Sequence, residues 1–210
     1  MAVDFILVDT SVLSEARKMI DELDENIVFF LRQIPAGALA VPIAAIFELQ
    51  RGASMIAMTN PAKGWAYESW LDRLLETDIW LPPVDVRVRR LLAEMTVVPE
   101  LNRFWLDRSK DPKLRFGCDP EIAATAIVYS IPLASTDVTD FLAINRHFPL
   151  PGLYCPIRGR WHVPPPTGWN LGESLGGHER DWRTVIGPLV KGREEQLSNI
   201  DDDGLEAPMP

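Results

Sequence analysis

The sequence predicts an α/β fold of three layers, α/β/α, built on a central parallel sheet and followed by an irregular C-terminal extension. Three observations lead there. Short apolar runs at Phe5–Val8, Leu39–Val41 and Leu133–Ser135 are each followed by a segment of helical periodicity. Asp, Thr and Ser cluster where the first and last of these runs end, as residues that leave a strand and cap a helix do. After His147 the periodicity stops, and Pro149, Pro151, Pro156, Pro164, Pro165 and Pro166 break up the chain. Strands alternating with helices imply parallel pairing through right-handed crossovers, with helices on both faces of the sheet.

Taken in order, Phe5–Val8 reads as a strand that ends in Asp9, Thr10 and Ser11, with a helix beginning near Val12. Ile27, Phe30, Leu31 and Ile34 mark one face of a helix over Asp24–Gln33, stopped by Pro35 and Gly37. Leu39–Val41 is a buried strand. Ile43–Met58 is helical, with Ile43, Ile46 and Phe47 expected on its packed face and Glu48 turned away from it. Asn60 and Pro61 open a helix whose apolar stripe is Tyr67, Trp70, Leu71, Leu74 and Leu75. Asp78–Leu81 is expected as a strand closed by Pro82 and Pro83, and Val84–Val98 as a helix with Val84, Val88, Leu91, Leu92 and Met95 inward. Asp119, followed by Pro120, is expected to cap a helix over Ile122–Ser130 that Pro132 ends. Leu133–Ser135 makes the last strand, and Asp137–Asp140 begin a final helix through about Arg146. The expected division is a domain over residues 1–149 and an extension over 150–210, partly docked through Leu153, Tyr154, Trp161 and Trp169 and disordered at its acidic end.

Composition narrows the function classes. A chain of 210 residues fits one globular domain and an appendage. Its longest nearly apolar stretches, 38–47 and 122–134, contain Pro42 and Pro132 and fall short of the ~20 residues of a membrane span. The N-terminus lacks the cationic stretch of a secretory signal, so the expected location is the cytoplasm, with Cys118 and Cys155 as free thiols. A net charge of −9 argues against a broad nucleic-acid-coating surface. Much of that acid sits in the tail, at Glu194, Glu195, Asp201, Asp202, Asp203 and Glu206. The middle of the chain is locally basic, with Arg87, Arg89, Arg90, Arg103, Arg108, Lys110, Lys113 and Arg115. Such a patch can serve RNA, although solvated helix faces have the same composition.

Five acids stand out by position. Asp9, Asp119 and Asp137 each lie where a strand or loop meets a helix start, which in a parallel sheet is one edge of the molecule. Glu48 follows a strand by about one helical turn, and Asp140 is three residues beyond Asp137. Several carboxylates at one point suit Mg2+ or Mn2+ and repel one another without a cation. Each acid alone also has a plain reading. Asp9 and Asp119 would serve as caps, Glu48 as a surface partner of Arg51, and Asp137 and Asp140 as turn residues.

Four segments carry a resemblance. Residues 6–15, ILVDTSVLSE, resemble the opening of PIN-domain toxins of the VapC and FitB type, and residues 46–52, IFELQRG, are similar to that family's glutamate-bearing helix. Residues 119–126, DPEIAATA, resemble its third acidic segment, and residues 133–141, LASTDVTDF, its last. The resemblance covers residues 5–141, and the order of the motifs makes it specific where each alone is weak. It implies a PIN-like fold with metal ligands at Asp9, Glu48, Asp119 and either Asp137 or Asp140. It also implies hydrolysis of RNA phosphodiester bonds with Mg2+ or Mn2+, restraint by a cognate antitoxin protein, and a homodimer. Ser11 stands where many members have Asn, and Asp137 where many close members have Asn and keep the acid at the position of Asp140. Thr10 and Thr136 are then expected to orient ligands.

Three other readings compete. A haloacid-dehalogenase-type phosphohydrolase also opens with a strand ending in Asp, but it needs an acid at the position of Ser11. A catalytically silent PIN-like module binding RNA or protein has no physical reason to gather unpaired carboxylates. Thiol chemistry at Cys118 lacks an activating histidine, since His147, His162 and His178 all lie beyond the acidic segments. Trp65, Trp70, Trp80 and Trp105 are candidates for base stacking, Trp105 foremost because Arg108 follows it.

Overall fold

The structure, a computed structural model, describes residues 4–18, 22–106 and 115–171. The acidic tail, His178, and Arg108, Lys110 and Lys113 of the basic middle lie outside the described residues. A five-stranded sheet in the order β2-β1-β3-β4-β5 forms the centre, from β1 (Ile6–Val8), β2 (Leu39–Ala40), β3 (Leu133–Ala134), β4 (Leu153–Cys155) and β5 (Arg160–Val163). The first four strands are mutually parallel, and β5 runs antiparallel to β4.

The sheet separates two cores because adjacent strand residues point to opposite faces. Ile6, Val8, Leu39 and Ala134 face one core, and Leu7, Ala40, Leu133 and Leu153 the other. Helices α1 (Thr10–Ala16), α2 (Glu25–Gln33), α3 (Ile43–Ala57) and α4 (Pro61–Leu75) fill the first through Leu13, Ile27, Leu49 and Trp70. Helices α5 (Val86–Thr96), α6 (Cys118–Tyr129) and α7 (Val138–Asn145) and a 3-10 turn at Pro99–Phe104 fill the second. This is the three-layer α/β/α arrangement that the strand-helix alternation predicts. Among the described residues no helix is long and apolar enough to cross a membrane.

Several starts follow local chemistry. Asp24 accepts a hydrogen bond from the Asn26 amide, Asn60 from that of Lys63, and Asp85 from those of Arg87 and Val88. Elsewhere tertiary contacts prevail. The strand expected at Asp78–Leu81 is reduced to a single bridge between Trp80 and Ala40, because Pro82 and Pro83 have no amide to continue the ladder. Of the expected packed face of α3 only Ile46 packs, partly buried against the first core, and the buried residues are Ala44, Ala45, Leu49 and Ala53. Small residues let α3 lie close to its neighbours, as at Gly64, where an added Cβ would sit 2.5 Å from that of Ala57. Ile43 and Phe47 are consequently exposed.

The sheet also continues past residue 150, where the sequence suggests an irregular extension. The Gly152 carbonyl accepts from the Leu133 amide and the Tyr154 carbonyl from that of Ser135, so β4 extends the parallel sheet. Trp161 of β5 stacks between Tyr154 and Trp169, and the Trp169 indole donates to the Phe5 carbonyl. Strands of three or four residues, flanked by Pro151, Pro156 and Pro164, leave too short a period to read. Leu153 is as buried as Leu7, so Leu153→Ala should cost ~2–5 kcal/mol in denaturant unfolding, like Leu7→Ala, whereas an appended segment would stay within ~0.5 kcal/mol.

Candidate active site

The order β2-β1-β3 reverses direction at β1, and the crevice beyond the carboxyl ends of β1 and β3 is where ligands collect in such sheets. Asp9 leaves β1 there and Ser135 leaves β3. Asp9 is 3% exposed. A desolvated carboxylate needs donors, and it has three: Oδ1 takes the Thr10 amide at 2.7 Å, while Oδ2 takes the Ser11 and Ser135 hydroxyls, each at 2.7 Å. The Ser11 hydroxyl also accepts the Thr136 amide at 3.1 Å, and the Ser135 hydroxyl accepts the Asp137 amide at 3.0 Å. The ends of the two central strands are thereby tied through one acid.

Thr10 carries the connection onward, its hydroxyl donating to Glu48 Oε2 at 2.6 Å. The Cys118 thiol also donates to Glu48, and burial together with that carboxylate pushes the thiol far above its ordinary range. Arg51, the partner that helical spacing offers Glu48, instead lies with its guanidinium carbon 5.1 Å from the centre of the Phe116 ring. Asp119 is in the first turn of α6 and not its cap. The helix begins at Cys118 after Gly117, whose φ of 67° is left-handed and puts Trp105 where a Cβ would be. Asp137 occupies the N-cap position of α7 without a capping bond, and Asp140, one turn on, is ion-paired with Arg103.

The five acids share one field. Burial, then the charges of Asp9, Glu48, Asp140 and Asp137, raise the Asp119 carboxyl from 3.8 to about 8. Burial also raises Asp9, with Glu48 adding to it, and raises Asp140, with Asp137 adding and Arg103 and Arg115 opposing. Among the described residues no group of three or more His, Cys, Asp or Glu side chains stands ready to hold a metal ion. Glu48 instead takes the Thr10 hydroxyl and the Cys118 thiol, Asp9 two serine hydroxyls, and Asp140 pairs with Arg103. The donor set, all carboxylate oxygen with hydroxyls behind it, nonetheless fits a hard divalent cation.

Sequence reasoning had not assigned Ser135, Cys118 or Arg103 to this site, and it weighed Ser11 only as a family variant. Ser135 carried a weak signal, a hydroxyl directly after a buried strand. Of the tryptophans considered for stacking, Trp70 is buried in the core, Trp80 packs between Phe5 and Tyr129, and Trp105 lies against Gly117. Trp65 is exposed on α4.

Comparison with known proteins gives fold without sequence. No family model matches the chain, and no curated protein matches it in sequence. Among solved structures, a chain of FitAB bound to an IR36 DNA fragment superimposes with a TM-score of 0.51 at 20% identity, covering 75% of this chain and 99% of that one. A chain of FitAcB from Neisseria gonorrhoeae gives a TM-score of 0.50 at 21% identity, covering 72% and 98%. The chain shares their fold. This FitAB-like fold spans nearly the whole of those chains, so about a quarter of the present chain is additional to it.

The raised acids set a pH dependence. Between 3.8 and about 8, folded Asp119 holds a proton that the unfolded chain has released, so stability declines as pH rises. The thermal midpoint of the metal-free protein should fall across that window, and Asp119→Asn should flatten the slope.

Proposed function

We propose that this chain is a divalent-metal-dependent endoribonuclease, the toxin of a toxin-antitoxin pair, acting as a homodimer and restrained by a cognate antitoxin protein. The observation that carries the reading is the buried Asp9 carboxylate, whose charge, with those of Glu48, Asp140 and Asp137, adds to burial in raising Asp119 to about 8. A fold has no use for such repulsion unless a cation offsets it. The ligands in this reading are Asp9, Glu48, Asp119 and Asp140, with Asp137 at the rim. The order of the four sequence motifs and the fold shared with FitAB chains support the PIN-like assignment, and the two-component names of those complexes support a protein partner.

A bound Mg2+ or Mn2+ would supply Lewis-acid activation of water and of the phosphoryl group. The chain's own residues do the rest. Ser11, Ser135 and the Thr10 amide fix the Asp9 carboxylate in one orientation, and Thr10 aligns Glu48 with it. Arg103 and Arg115 bring positive charge to the Asp140 side of an otherwise acidic site, where an RNA phosphate must approach. Elsewhere in the basic middle, Arg87 pairs with Asp85 and Arg89 with Glu121.

The test is cleavage of a mixed structured RNA pool by protein free of antitoxin. Cleavage should require Mg2+ or Mn2+ and stop with EDTA. Because residues that only support metal ligands cost ~10–100-fold when altered, Asp9→Asn, Glu48→Gln and Asp119→Asn should each lose at least about 100-fold, and Ser135→Ala about 10–100-fold. A folded protein that binds neither metal nor RNA would overturn the nuclease reading. One that binds RNA and never cuts it would be the silent module.

A further inference from the structure

Two exposed aromatics stand at the rim of the acidic crevice. Phe47 immediately precedes Glu48 on α3, and Phe116 precedes Asp119 by three residues. Their rings meet edge to face with centroids 4.9 Å apart, yet they remain 44% and 45% exposed. Arg51, one turn along α3 and exposed, sets its guanidinium against Phe116. Phe47 and Arg51 also line an open groove of about 440 Å3 along the outer face of α3, with Ile43, Ile46, Gln50 and Ser54. Gln50 is turned to Glu68, so Arg51 is the cation of this groove.

Packing does not require this pair. The small residues of α3 serve the core, and the apolar bulk of Phe47 is left outside it. Large apolar groups kept in solvent beside polar ones mark contact sites. Their attachment is stiff: Phe47 belongs to a 15-residue helix, and Phe116 is fixed through Gly117, pressed against Trp105.

Resting on the ribonuclease reading, we propose that Phe47, Phe116 and Arg51 form a stacking subsite for an unpaired nucleobase next to the scissile phosphate, which directs the enzyme to single-stranded RNA. A π face accepts any base, and a guanidinium beside it meets the neighbouring phosphate, the combination by which single strands are held. Charge complementarity selects this occupant: the groove offers a cation and aromatic rings to a polyanion whose cleaved bond must lie among the adjacent acids. Paired bases present no free face and gain nothing here.

The experiment uses the full chain carrying Asp119→Asn, which holds RNA without cutting it, and fluorescence anisotropy with a labelled single-stranded RNA and the same RNA in duplex form. Phe116→Ala and Phe47→Ala should each weaken single-strand binding by roughly 5- to 150-fold and leave duplex binding unchanged. Phe116→Trp should preserve it, while Phe116→Leu, which keeps bulk without a π face, should not. Arg51→Gln should lower the salt slope of log affinity by about 0.7. In the cutting enzyme, Phe116→Ala should raise KM on single-stranded RNA and leave metal dependence unaltered. If wild type cleaves RNA while folded Phe47 and Phe116 variants bind and cut like their parents, the subsite is overturned and the ribonuclease reading stands. The same holds if those variants change only self-association or protein binding. If wild type neither binds nor cuts any RNA, both fall together.

Discussion

A single desolvated carboxylate organises the functional edge of this molecule. Asp9 ends the central strand, where the sheet is buried on both faces, and an ion in that place is stable only if donors replace the water it has lost. The donors come from two strand ends: Thr10 and Ser11 after β1, and Ser135 after β3. The bond that satisfies Asp9 therefore also fixes how the two central strands terminate relative to one another. Glu48 joins through Thr10, and Asp119 through the field it shares with both.

The consequence is a site built with stored repulsion. Asp119 shows it, raised to about 8 by burial and by four charged neighbours. The Ser11 and Ser135 hydroxyls favour the Asp9 charge within that field, and Arg103 and Arg115 oppose it at the Asp140 side. Around that negative centre the chain places its cations and aromatics at the rim. Helix α3 does both jobs at once, giving the core a face of alanines and Leu49 and giving the crevice Phe47, Glu48 and Arg51.

Much of the fold was legible because local chemistry and global fold agree. Asp24, Asn60 with Pro61, and Asp85 announce helix starts that form as expected, and the apolar runs at residues 6–8, 39–40 and 133–134 become the central strands. Legibility failed where a partner element decides. Residues 78–81 look like a strand but keep one bridge, and residues 153–155 do not look like one yet extend the sheet beside β3. Asp119 with Pro120 reads as a cap and first turn, but Gly117 takes the left-handed position and starts the helix earlier. On α3 the larger apolar residues suggest the buried face, while close approach to the sheet and α4 selects the smaller ones.

The sequence by itself determined the layer order, the parallel pairing of the first three strands and the residues at which strands give way to helices. These follow from hydrophobic period and capping chemistry, which act within a few residues. It also put Asp9, Asp119 and Asp137 where a strand or loop meets a helix, with Glu48 about a helical turn beyond a strand and Asp140 three residues beyond Asp137. Only the tertiary structure decided which hydroxyls satisfy Asp9, that Arg103 faces Asp140, and that Phe47 and Phe116 meet in solvent. Those contacts join residues 37 to 126 positions apart, and no local pattern encodes them, because what selects them is the need to pair or shield each buried charge once the sheet has closed.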